Sequence, residues 1–235
     1  LLTIVFDCFI KKVIPIGIVP KTEDSCQFSI LEDFEEIQTN YEKSTRIFNG
    51  IVKNISYDTL YNSYYAFLSN TNDKELNILK YLLNGFVIGP KIETMLSLDF
   101  VFAVHSMRKK LLGEAHKLKG LTRFIEIQNN VFYASIHPDN NVVENLGQHF
   151  IRRLPTQNFI IHDKNRNIAF IYNQKEYQIV EATSIPICSI SEKEKNYENL
   201  WTAFFNTIAI KERTNSRLQM QFMPKKYWQD LVELK

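Results

Sequence analysis

Arg123-Phe-Ile-Glu-Ile-Gln128 and Val131-Phe-Tyr-Ala-Ser-Ile136, separated by Asn129-Asn130, decide the fold. Both runs are dense in β-branched and aromatic residues, which suit a pleated surface. An Asn-Asn pair adopts the left-handed conformations that a tight hairpin needs. The segment just upstream, roughly 98–118, has a different period. Its apolar stripe of Val101, Val104, Leu111, Ala115 and Leu118 repeats every three or four residues and predicts a long helix ended by Gly120. The chain therefore passes from helix to sheet near residue 121.

Working outward, a helix is expected near 141–153, stopped by Leu154-Pro155. Strands follow at Phe159–His162, Ile168–Tyr172 and Tyr177–Glu181, and helix returns from Glu192 onward. Upstream, helices are expected at Leu1–Lys12, buried, and at 41–53, 57–69 and 73–84, with capping residues around Ser56 and Asn72-Asp73. A strand is placed at Phe28–Ile37. Gly85 to Lys91 punctuates two helices and is similar to a helix-hairpin-helix turn, yet it lacks the Gly-x-Gly core, so a plain turn is the alternative. Runs of helices and runs of strands, without strict alternation, predict an α+β fold. An antiparallel sheet over about 122–182 packs with N- and C-terminal helices. We expect one domain, 1–235: a helical region over 1–120, a sheet region over 121–182, and helices over 190–235 packing back on the body.

Composition bounds the function classes. At 235 residues, with 45% hydrophobic and 23% charged residues, the chain can bury a core and is not disordered. Three widely spaced cysteines, Cys8, Cys26 and Cys188, without a CxxC, predict free thiols in a reducing, cytoplasmic setting. No apolar run is long enough for a membrane span. The apolar start at Leu1 lacks Met, a basic flank and a cleavage site, so it is read as belonging to a longer chain and not as a signal peptide. No P-loop, dinucleotide fingerprint, Gly-x-Ser-x-Gly elbow or tight metal spacing occurs, so no cofactor and no metal are expected.

The net charge of +2 is too small to name a partner; its distribution is more informative. From His105 to Arg123 there are six Lys and Arg against Glu114 alone. Candidates for nucleic-acid contact are Lys109, Lys119, Arg123, Tyr133, Arg152, Arg153 and Arg166, with Lys211, Arg213, Arg217 and Lys225 in the tail. Cations interleaved with aromatics suit phosphates and stacked bases. A solvated basic face, balanced by the acidic 23–42 segment, is the alternative. Histidines and carboxylates crowd the middle: His116, Glu126, His137, Asp139, His149, His162 and Asp163 are candidates for acid–base catalysis. Histidines bonded within the core are the competing explanation.

Several segments carry a family resemblance. They are Tyr64-Tyr-Ala-Phe-Leu-Ser69, Gly89-Pro-Lys91, Glu114-Ala-His-Lys-Leu-Lys-Gly120 with Arg123-Phe124, Tyr133-Ala134, Pro138-Asp139, His149-Phe150 with Arg152-Arg153, Ile161-His-Asp163, Thr207 to Arg213, and Gln221 to Trp228. Together they resemble a bacterial family described as "probable DNA metabolism protein", built on a domain of unknown function. The resemblance implies a role in DNA metabolism beside a radical-SAM protein of DNA modification or repair. Some relatives of that kind are fused to a uracil-DNA-glycosylase-like domain. It supplies no catalytic residues. It also implies an Asp-Gly-containing lead-in before Leu1, and with it a strand. The chain has no CxxxCxxC and is not expected to hold the partner's iron–sulfur cluster.

Three functions follow as expectations. The first is a DNA-binding accessory protein that uses the two basic clusters. The second is an enzyme acting on a nucleotide or damaged base through a histidine–carboxylate pair. The third is a scaffold that binds the radical-SAM partner without touching DNA.

Overall fold

A computed structural model describes residues 1–20, 34–127, 130–182, 194, 197, 200–204, 207 and 215–231. The fold is α+β, as expected. The chain divides into two compact units, Leu1–Leu111 and Leu112–Lys235.

The first unit is helical. Helices α1 (Leu2–Lys11), α2 (Tyr41–Asn54), α3 (Tyr57–Phe67) and α4 (Lys74–Ile88) are followed by a 3-10 turn at Gly89–Thr94 and by α5 (Asp99–Leu121), whose first half belongs here. Asn40 and Ser56 cap α2 and α3, accepting from the amides of Lys43 and Thr59. The core collects Val5, Ile51, Ile78, Leu82, Val101 and Val104, all under 2% exposed. An apolar cavity of about 480 Å³ lies among Phe48, Tyr57, Leu60, Tyr61 and Ile78.

Four details differ from the sequence reading. Helix α4 continues through Gly85 to Ile88, because Gly85 packs against Ile55 where a Cβ would collide. Gly89, at φ 77°, ends that helix instead. Helix α1 exposes Phe9 and Ile10 and is not wholly buried. Residues 34–37 of the expected strand at Phe28–Ile37 are irregular, and 28–33 lie outside the described residues. Helix α5 passes through Gly120 to Leu121.

The second unit holds the sheet. Its strands are β1 (Ile125–Ile127), β2 (Val131–Ile136), β3 (Asn158–Asp163), β4 (Ile168–Tyr172) and β5 (Tyr177–Glu181), in that spatial order. Three of the pairings are antiparallel, but β2 and β3 run parallel, Ser135 opposite His162 and Ile136 opposite Asp163. Helix α6 (Val143–Arg153) is the cause: a crossover helix returns the chain to the starting edge, so the next strand must run the same way. The tail is helical at the described positions 194, 197, 200–204 and 207, then forms α7 (Ser216–Phe222) and a 3-10 turn at Lys225–Asp230.

Helix α6 buries Val143, Leu146, Gly147 and Phe150, one stripe at helical spacing. Gly147 packs closely against the Phe170 ring, where any Cβ would overlap it. That ring cannot yield, because it is stacked between Phe159 at 6.1 Å and Tyr177 at 4.7 Å. Gly147→Ala should lower the urea midpoint, by about 1–3 kcal/mol of overpacking against about 1 kcal/mol of helix propensity gained. An unchanged or raised midpoint would show that α6 does not seat on Phe170.

Candidate functional site

The parallel strands β2 and β3 end side by side, and the chain leaving each carries polar residues. In sheets with parallel strands, this carboxyl end is where ligands are usually met. His137, Pro138 and Asp139 leave β2; Asp163 closes β3.

Asp163 is fully buried. Its Oδ1 accepts from the amides of Asn165 (2.9 Å) and Arg166 (3.2 Å), and its Oδ2 pairs with the Arg166 guanidinium at 3.0 Å. Arg166 also donates to the carbonyls of Pro138 and Asp139. Both residues are thus committed to holding the two strand ends together.

Glu114, on α5, organises the same place. Its Oε1 accepts from the Asp139 amide (2.9 Å), Lys226 Nζ (2.9 Å) and the Tyr227 hydroxyl (2.6 Å). Its Oε2 accepts from the amide (2.8 Å) and side chain (2.6 Å) of Asn140. Burial alone would raise its pKa, but the donations from Tyr227, Asp139, Asn140 and Lys226 outweigh burial and bring it to about 2. Tyr227 and Lys226 move upward: burial raises the Tyr227 phenol further, while bonds to Asp139, Tyr227 and Glu114 overcome the burial of Lys226. Asp139 is exposed and pairs with Lys226.

Beside this knot, His137 Nδ1 lies 3.0 Å from both oxygens of Asp230, and the Ser135 hydroxyl donates to Asp230 at 3.2 Å. His162 is 3% exposed, with Nδ1 at 3.0 Å from the Tyr133 hydroxyl. Burial, then the Lys164 charge, lowers its pKa and favours the neutral ring. Tyr133 is buried in this contact, so its ring is not presented at the surface.

The histidines separate by environment. His137 and His162 are electrostatic neighbours at the strand ends. His149, on α6, instead stands among cations: burial and then the charges of Lys119, Arg152 and Arg153 lower its pKa. Lys119 of α5 and Arg152 and Arg153 of α6 thus all act on the same imidazole. Arg123 follows the end of α5; it donates to the Gly120 carbonyl at 2.9 Å and lies 5.8 Å from the Trp201 ring centre. His116 and Arg217 are exposed, as is Lys109 in the first unit. Lys225 sits 5.9 Å from the Trp228 ring, and the Glu126 amide donates to Glu194. Lys211 and Arg213 lie outside the described residues.

Glu114, Lys226, Tyr227 and Asp230 were missing from the sequence-predicted site. Glu114 had a signal, as the single acid in a run of six cations. Among the described residues no group of three or more His, Cys, Asp or Glu is arranged to hold a metal ion, and no helix is long and apolar enough to cross a membrane.

A family described as a domain of unknown function, DUF4130, matches residues 72–233. The chain belongs to this family. The DUF4130 match takes in α4, α5, the whole sheet and the described C-terminal turn, including every residue of the knot around Glu114. No curated protein and no solved structure matches the chain.

Glu114→Gln should destabilise the protein, because a neutral amide cannot accept from all five donors. A carboxyl held at about 2, against an ordinary 4.5, contributes about 3 kcal/mol. Because the folded pKa is the lower one, that stability is present above about pH 4.5 and is lost as pH falls toward 2. Urea midpoints of wild type and variant should differ at pH 7 and converge below pH 4; a constant gap would show that the Glu114 charge does not matter.

Proposed function

We propose that this protein is a nucleic-acid-binding accessory factor of DNA metabolism, working beside a radical-SAM protein. The observation that supports the DNA contact is that three cations from two helices, Lys119, Arg152 and Arg153, all act on His149. Like charges brought together from two helices repel one another, and a polyanion relieves that repulsion. Arg152 and Arg153 are exposed in the last turn of α6, where they also complement the helix dipole. That placement accounts for the two arginines but not for Lys119, which comes from a different helix. The DNA setting and the radical-SAM partner come from the resemblance of the motif segments.

A second reading is favoured by the His137–Asp230 pair. An imidazole held by a carboxylate through Nδ1 is oriented for acid–base work at Nε2, and the acceptor is Asp230, where the sequence suggested Asp139 or Glu126. On this reading the protein converts a nucleotide or damaged base. Product followed by mass should then vanish with His137→Asn while DNA affinity is kept.

For the first reading, labelled single- and double-stranded DNA should bind more weakly as salt rises. The triple variant Lys119→Gln, Arg152→Gln, Arg153→Gln should lower the slope of log affinity against log salt by about 2–3, at roughly 0.7–0.9 per phosphate contact. Wild-type binding that ignores salt, or a triple variant with unchanged affinity and slope, would remove the basic surface as the DNA contact.

A further inference from the structure

We propose that the basic surface takes single-stranded nucleic acid, with unpaired bases stacked on Trp201 and Phe204; this rests on the nucleic-acid reading above. The two rings are 5.8 Å apart between centres and inclined by 34°. Trp201 is 42% and Phe204 53% exposed. Large rings left this open in a folded unit forgo the burial that normally holds them in a core.

Their neighbours identify the occupant. The Arg123 guanidinium lies against the Trp201 ring, and Arg123 follows Lys119 by four residues at the end of α5. Lys119 in turn shares the field of His149 with Arg152 and Arg153. The exposed rings, with Arg123 against Trp201, and the cations that act on His149 therefore belong to one unit. Cations meet phosphates in any nucleic acid, but rings meet base faces only where bases are unpaired. A duplex offers phosphates and groove edges and would leave Trp201 and Phe204 in water. A purely apolar protein partner would cover the rings, but it would leave the three cations crowded and unneutralised.

The test compares labelled oligothymidine of roughly twenty nucleotides, longer than a typical single-strand site, with a duplex of equal length. Single strand should bind at least tenfold more tightly. The double variant Trp201→Ala, Phe204→Ala should bind single strand at least about fivefold more weakly, since stacking contributes about 1–3 kcal/mol per base. Its duplex affinity and salt slope should stay unchanged. Saturating single strand should also quench tryptophan emission in wild type, and Trp201→Phe should lose that quenching while staying folded. Quenching identical in wild type and Trp201→Phe would overturn the proposal even if the alanine variant fails to fold. Equal binding of both DNA forms, untouched by the aromatic changes, would overturn stacking and leave the basic surface standing. A protein that binds neither form removes both readings and makes a protein partner the occupant.

Discussion

The second unit depends on one buried carboxylate. Glu114 is the point where α5, the chain leaving β2 and the C-terminal 3-10 turn meet. A charge removed from water is costly unless its lone pairs are satisfied. Five donors meet that condition, and they come from segments 25 to 113 residues away. The two backbone amides fix the 139–140 loop, so the positions of His137 and Asp139 follow from Glu114. The Tyr227 hydroxyl and Lys226 ammonium bring in the tail, and Asp230 arrives with them, three residues on. The His137–Asp230 pair is thus a consequence of the knot.

The first unit uses the same device with different residues. Glu93 accepts from Thr59 (2.5 Å) and Tyr81 (2.5 Å) on one oxygen and from Asn62 (2.6 Å) on the other. Asn62 then accepts from Arg108 at 2.9 Å. Burial first, and the bond to Glu93 next, raise the Tyr81 phenol well above its usual range. Both carboxylates are engaged by several donors from distant segments. Their role is to hold segments together. Asp163, spent on Arg166 and two amides, belongs with them.

What could be read from this architecture in advance was local. The change of period near residue 121, the Asn129-Asn130 turn and the Pro155 stop are written within a few residues of the elements they define. The parallel pairing of β2 and β3 was harder to see, because it depends on the side of the sheet to which α6 returns the chain. Asp230 was illegible as a site residue because its partners Ser135 and His137 lie more than ninety residues away, and the tie from Glu114 to Lys226 and Tyr227 was hidden by a still longer separation. Tyr133 shows a different failure. Its residue type suits base stacking, but it lies beside Ser135 and His137 on the face that the C-terminal turn covers, and its hydroxyl is spent on His162. The type of residue was informative; the face it occupies was decided by the fold.

The polar groups near the strand ends largely satisfy one another. Aspartates and glutamates near the strand ends are paired: Glu114 with five donors, Asp163 with Arg166, Asp139 with Lys226, Asp230 with His137. Two cations there, Arg166 and Lys226, are consumed in the same pairings. Lys119, Arg152 and Arg153 differ in kind, since the group they share is the His149 imidazole, whose pKa burial first and their charges next push down. The carboxylates at the strand ends are thus, among the described residues, matched to donors. Among the described residues, His137 has a carboxylate as its partner and His162 a phenol, whereas His149 is set apart by the three cations that act on it.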